Sequence, residues 1–250
     1  MIKQIYRFLN PKFQNLFLDY PVNMQPRYGH GKPPHSLLYD IINGNRKQYA
    51  TILESTKKYV DAIQSIKKSG EEQDVKQPSW NNGFLPGLDI VMLYTILAEK
   101  QPKKYVEVGS GNSTKVAHKV KNDLGLAMQI TSIDPMPRAE IDELSDQIVR
   151  APFENIDWDA FLTLEAGDVL FIDNSHRMLP NSDATVFFLE VMPQLKPGVI
   201  VHIHDIYIPY DYPQFMCDRA YSEQYGLMIY LLANPEKYIT LCPNYFISED

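Results

Sequence analysis

The stretch YVEVGSGNST, Tyr105 to Thr114, decides how this chain folds. Tyr105, Val106 and Val108 read as a buried strand, the glycines as a turn, and Ser113 to about Val120 as a helix. Gly109 and Gly111 carry no Cβ, so the backbone can turn sharply and approach a ligand closely. Ser113 or Thr114 can cap the new helix. Parallel α/β sheets begin this way, and ligands bind where such strand ends meet helix N-termini. Glu107 stands out, because a carboxylate inside an apolar strand must be paired or functional.

The next strand strengthens the reading. QITSIDP, Gln129 to Pro135, alternates Ile130, Ser132 and Asp134 with Thr131, Ile133 and Pro135, and ends on the acid. Asp134 follows Gly109 by about 25 residues, near the spacing at which an acid reaches a nucleoside ribose. The two strand ends together point to an adenosine-type cofactor. A dinucleotide fingerprint would place a third glycine where Thr114 stands, and no Walker lysine pattern is present.

Composition narrows the class. The 250 residues suit one large domain or one domain with an appendage, and 44% hydrophobic content supports a sizeable core. A net charge of −7 gives no basic footprint for nucleic acid. Cys217 and Cys242 lie far apart without CxxC spacing, which suits a reducing compartment. No apolar run reaches membrane-spanning length and no signal pattern opens the chain, so a cytoplasmic protein without membrane contact is expected. The 16 tyrosines suit either a ring- or sugar-binding pocket or a tyrosine-rich core.

Residues 1–79 read as a helical extension outside the sheet. Ile2, Ile5, Tyr6, Phe8 and Leu9 form an amphipathic helix stopped at Asn10-Pro11. RYGHGKPPH, Arg27 to His35, is a rigid loop, and apolar positions from Leu38 to Ile66 recur at helical spacing, interrupted near Gly44. A loop containing Trp80 and Phe84 leads to a helix from Leu88 to about Lys100; with Asp89 these are pocket-wall candidates. Residues 80–250 form the second unit.

Beyond Asp134 the pattern predicts an acidic helix over 139–146, a short strand over 147–150, and a strand Val169–Ile172 ending in Asp173-Asn174-Ser175-His176. A helix over 183–195 and the turn Lys196-Pro197-Gly198 lead to VIVHIHD, Val199 to Asp205. The continuous apolar run in VLFI is that of a strand covered on both faces. Adjacent parallel strands would bring Asp173, His176, His204 and Asp205 to the rim that carries the glycine loop. An imidazole beside a carboxylate is suited to take a proton from a hydroxyl, and the same atoms can ligate a divalent ion. His202 reads as structural. A helix over 220–233 and a strand over 238–247 are expected to close the chain.

In this order, EVGSGNST, SIDP, FIDNSH, LKPG and HIHD resemble a subgroup of class I S-adenosylmethionine-dependent methyltransferases with strand-end FID-x-SH and HD motifs. The resemblance covers about Trp80 to Asp205. It implies an α/β, Rossmann-like, doubly wound and mostly parallel sheet with helices on both faces, and a cap or lid formed by residues 1–79. Such sheets have seven strands when complete, whereas six are read here. The resemblance also implies that Glu107, Gly109, Ser110, Gly111, Asn112, Ser113, Asp134, Pro135, Phe153 and Asp173 hold S-adenosylmethionine. His204, His176 and Asp205 would be catalytic, acting on a small hydroxylated acceptor. Asp173, Asp205 and His204 could hold a divalent metal such as magnesium. Two alternatives stand beside this: a metal-dependent hydrolase or oxygenase using His176, His204 and Asp205, and a non-catalytic binding protein on the same fold. A homo-oligomer is left open.

Overall fold

A computed structural model describes residues 2–137, 141–158 and 163–250. Its centre is a five-stranded, all-parallel sheet of order β3-β2-β1-β4-β5. The strands are β1 (Lys104–Val108), β2 (Gln129–Ile133), β3 (Gln147–Val149), β4 (Val169–Ile172) and β5 (Ile200–Ile203). The chain starts in the middle, at β1, steps outward to β3, and returns to β4 on the other side. That reversal creates a crevice between the C-terminal ends of β1 and β4, where doubly wound sheets bind ligands.

Period-two alternation splits the strands between two cores. Tyr105, Ile130, Val169 and Phe171 face helices Gly87–Lys100 and Asn112–Asp123, packing with Tyr94, Leu97, Val116 and Val120. Val106, Val108, Ile133, Leu170 and Ile172 face the opposite layer, with Phe187, Phe188 and Val191. Helices therefore cover both faces, as expected.

The N-terminal extension is helical over Ile2–Leu9, Ser36–Asn43, Arg46–Ser55 and Val60–Gln64, and Gly44 divides the long run. Ile63 and Ile66 join the first core. Leu38, Ile42 and Tyr49 pack with Ile208, Met228, Leu231 and Phe246 from the C-terminal segment. Among the described residues no helix is long and apolar enough to cross a membrane.

Three elements differ from expectation. Ala139 and Glu140 lie outside the described residues, and Asp142–Leu144 is a single 3-10 turn in place of the acidic helix. The segment 183–195 begins as α-helix, widens to a π turn at Phe187–Val191 and tightens to 3-10 at Met192–Gln194. Pro193 accounts for this, since it lacks the N–H that an α-helix needs. The strand expected over 238–247 is absent: residues 238–243 join no ladder and Asn244–Glu249 is a helix. Its β-branched and aromatic residues favour an extended chain, yet among the described residues no strand is hydrogen-bonded to the outer edge of β5.

Candidate functional site

The glycine loop is fixed from below and from both sides. Glu107 has no exposed surface, and its carboxylate accepts hydrogen bonds from Ser132 Oγ (2.6 Å), Ser113 Oγ (2.9 Å), Tyr105 OH (3.3 Å) and Thr114 Oγ1. Burial raises its pKa to about 7, although the four hydroxyls favour the charged form. The carboxylate thus ties β1, β2 and the new helix together beneath the loop. Thr114 Oγ1 also accepts from the Gly111 N–H (2.9 Å), which caps the helix as the sequence suggested.

Gly109 sits at φ +79°, and a Cβ there would lie 1.8 Å from the Asp173 carbonyl oxygen. Only glycine permits the loop to lie this close to the end of β4. On the other side Asp134 accepts from the Ser110 N–H (2.9 Å) and from the Met136 N–H (2.8 Å). Gly109, Ser110, Gly111 and Asp134 are therefore brought together at the β1–β2 end, with Asp173 across the crevice. Phe153 takes a different place: it is buried, its ring 3.8 Å from that of Trp158, within the second core. Pro135 is exposed beyond the strand end, and Asn112 and Ser113 open the helix.

The rim past β4 and β5 gathers the expected polar cluster. His176 Nε2 lies 3.4 Å from Asp173 Oδ1 and 3.5 Å from Asp205 Oδ2. His204 Nδ1 lies 3.6 Å from each of Asp173 Oδ1 and Asp205 Oδ1. His204 Nε2 is 3.4 Å from Asp89 Oδ2, and Asp89 also accepts from the Asn244 side-chain amide. These His204 separations are ion-pair distances, and neither buried ring nitrogen has a hydrogen-bond partner. Burial lowers the proton affinity of His204, but Asp173, Asp89 and Asp205 more than offset it, so its pKa is raised well above 6.5. His176 is raised as well, its burial outweighed by Glu223, Asp173 and Asp205.

His202 behaves otherwise. Burial lowers its pKa to about 4, and its ring centroid sits 4.4 Å from that of Phe171, so it is a neutral structural group as expected. Among the described residues no group of three or more His, Cys, Asp or Glu side chains is arranged to hold a metal ion. His204 instead faces Asp173 and Asp205 at ion-pair distance.

Beside this rim opens a cavity of about 870 Å³, running along the outer edge of β5. His204, Asp205, Asp89 and Tyr207 stand at its polar part, while Leu93 and Val201 represent its apolar walls. His204 thus reaches both the cavity wall and the Asp173 side, which abuts the glycine loop.

Residues 106–206 match the family model described as a methyltransferase domain. The chain is similar to that domain over 101 of its 250 residues. No curated protein matches the chain. The methyltransferase segment holds the glycine loop, Asp134, Asp173, His176, His204 and Asp205, and it spans all of β2 to β5. Several residues around its rim come from outside it. Asp89 arrives from the preceding helix, and Asn244 and Glu223 come from the C-terminal segment. Asp89 was legible as a pocket-wall residue. Glu223 carried no signal, because an acid opening an apolar helix reads as an ordinary N-terminal residue.

Proposed function

We propose that this protein transfers a methyl group from S-adenosylmethionine to a hydroxyl of a small acceptor. The cofactor supplies an activated methyl on a sulfonium, so the protein's tasks are positioning and removal of one proton. The cradle fits it: Gly109 lets the loop lie against the end of β4, where a Cβ would meet backbone, and Asp134 stands at the strand end as a ribose acceptor. Ser110, Gly111, Asn112 and Ser113 present the adjoining helix N-terminus, with Pro135 beside the ribose position.

One observation carries the assignment of the base. His204 stands between Asp173, beside the cofactor loop, and Asp89, on the wall of the acceptor cavity, with both ring nitrogens buried and unbonded. Three carboxylates keep that imidazole protonated on their own. With a sulfonium held beside Asp173 offsetting part of their charge, His204 would release its proton to solvent and then accept the one from the acceptor hydroxyl. Asp89 then fixes the ring that receives the proton.

Residues 1–79 act as a cap in this reading. What supports it is the attachment of the Arg27–His35 loop to the C-terminal segment: the Arg27 N–H donates to Asp211 (2.9 Å) and the His35 N–H to the Pro209 carbonyl (3.0 Å). No step is routed through a metal, and no feature of the site favours the hydrolase or oxygenase reading.

The test is calorimetric titration with S-adenosylhomocysteine of the wild type and Asp134→Ala. Micromolar binding, weakened at least about tenfold by the substitution, is expected for the loss of a charge-assisted hydrogen bond. No binding at millimolar ligand overturns the proposal.

A further inference from the structure

We infer that Glu223 is a positioning residue that, through His176, sets the Asp173 and Asp205 carboxylates beside the cofactor loop. The inference rests on the cofactor reading above and assigns a role to a residue outside the matched methyltransferase segment. Glu223 opens the helix Glu223–Ala233 and has no exposed surface. Its Oε2 lies 3.0 Å from His176 Nδ1, and its Oε1 has no hydrogen-bond partner. A carboxylate so enclosed is costly unless a specific partner holds it, and that partner is the imidazole.

The backbone is bent to make the contact. His176 occupies the left-handed region at φ +62°, and so does Asp205 at φ +55°, conformations that side chains with a Cβ rarely adopt. The His176 carbonyl accepts from the Ser222 N–H (2.9 Å) and the Glu223 N–H (3.3 Å), which locks this turn to the helix start. Tyr221 stacks on the imidazole with centroids 4.6 Å apart and planes 21° apart. One ring nitrogen is thereby held by Glu223, and the other points between Asp173 and Asp205. Glu223 thus acts on the rim only through a ring whose orientation it fixes. An ion pair that merely fastened the helix would need neither this stacking nor the two left-handed residues.

Asp173 is the link to the cofactor. Its Cβ lies 3.5 Å from where a Gly109 Cβ would stand, so the residue abuts the loop, and its Oδ1 lies toward His176 and His204. Carboxylates held there favour a cation over a neutral ligand of the same shape, because only the cation is drawn by charge–charge attraction, which weakens as the carboxylates move away. The pair of probes that reads this is S-adenosylmethionine, which carries a sulfonium, and S-adenosylhomocysteine, which carries a neutral sulfide.

The experiment measures both dissociation constants by calorimetry for the wild type, Glu223→Leu and Glu223→Gln. Glu223→Leu should reduce the sulfonium-over-sulfide preference by about fivefold to tenfold, with sulfide affinity changed less than about threefold. Glu223→Gln retains an oxygen to accept the Nδ1 proton and should keep most of the preference. Ring nitrogen shifts of His176 should show the Nδ1 hydrogen bond lost in Glu223→Leu and retained in Glu223→Gln. If Glu223→Leu does not fold, His176→Gln cuts the same link and should lower the preference equally. A preference unchanged in folded Glu223→Leu, with sulfide binding intact, overturns the inference alone. Absence of sulfide binding in the wild type overturns the cofactor reading instead.

Discussion

Nε2 of His204, at the end of β5, lies 3.4 Å from Oδ2 of Asp89, at the start of the helix that precedes β1. The two residues are 115 positions apart in the sequence (204 − 89), and packing of that helix against the sheet brings them together. The pairing shifts both groups in the direction that favours charge. Burial alone would raise the Asp89 pKa, but His204 and Asn244 hold it below its ordinary value.

Asp89→Asn should lower the midpoint of His204, since it removes one of the carboxylates that raise it. The sign for stability follows. A raised imidazole pKa contributes stability that is complete below about 6.5 and is lost as pH rises through the folded midpoint. Thermal unfolding across pH 5 to 9 should therefore show a smaller pH-dependent loss in Asp89→Asn. Ring proton shifts of His204 give the midpoint directly, and a midpoint unmoved by the substitution would refute the coupling.

Gly109→Ala should be severe. Its Cβ would fall 1.8 Å from the Asp173 carbonyl at a φ of +79°, so strain and clash coincide. A destabilisation of roughly 3 kcal/mol or more is expected, with loss of S-adenosylhomocysteine binding. Denaturant unfolding provides the comparison; a variant as stable as the wild type would contradict this geometry. Gly111→Ala, where no atom lies within 4 Å of the added carbon, is the control and should cost far less.

Glu107 gives stability the opposite pH dependence from a surface acid. Burial raises its pKa from 4.5 to about 7, so the folded state holds the proton more tightly than the unfolded chain. Stability from this group is complete below about 4.5 and declines by about 3 kcal/mol as pH rises past 7. Glu107→Gln should remove that decline. Parallel unfolding curves for the two proteins at pH 5 and pH 8 would contradict it.

The thiols should be inert. Burial pushes Cys242 up to about 12, with Asp89 adding to the shift, and burial likewise raises Cys217. Relative to a free thiol near 9, Cys242 carries roughly a thousandfold less thiolate at pH 8. Buried Cys217 should react with a disulfide reagent only at the rate of unfolding, and Cys242, half-buried on the cavity wall, far more slowly than a free thiol. Rapid labelling of either would count against these environments.

Much of the polar strand-end rim was legible because parallel strands announce themselves locally. Tyr105–Val108, Ile130–Ile133 and Val169–Ile172 are short strand-forming runs followed by glycine or acid, and the sheet places those ends on one rim. Other readings were too local. Glu107 read as paired or functional, and only the fold shows which hydroxyls of neighbouring elements pair with it. The Tyr238–Ile247 segment has strand-like residues, but strand formation needs a ladder partner, and helix Asn244–Glu249 is held by Phe246 packed with Leu38, Ile42 and Tyr49.

The sequence by itself determined the α/β class, the glycine turn and the set of strand-end acids and imidazoles, because these follow from residue type and short-range spacing. Only the tertiary structure decided which of them meet. Asp89 from before the sheet, Glu223 and Asn244 from after it, and the left-handed turn at His176 converge on one rim. Those encounters are set by packing between distant segments, and burial there gives each imidazole its partners and its charge.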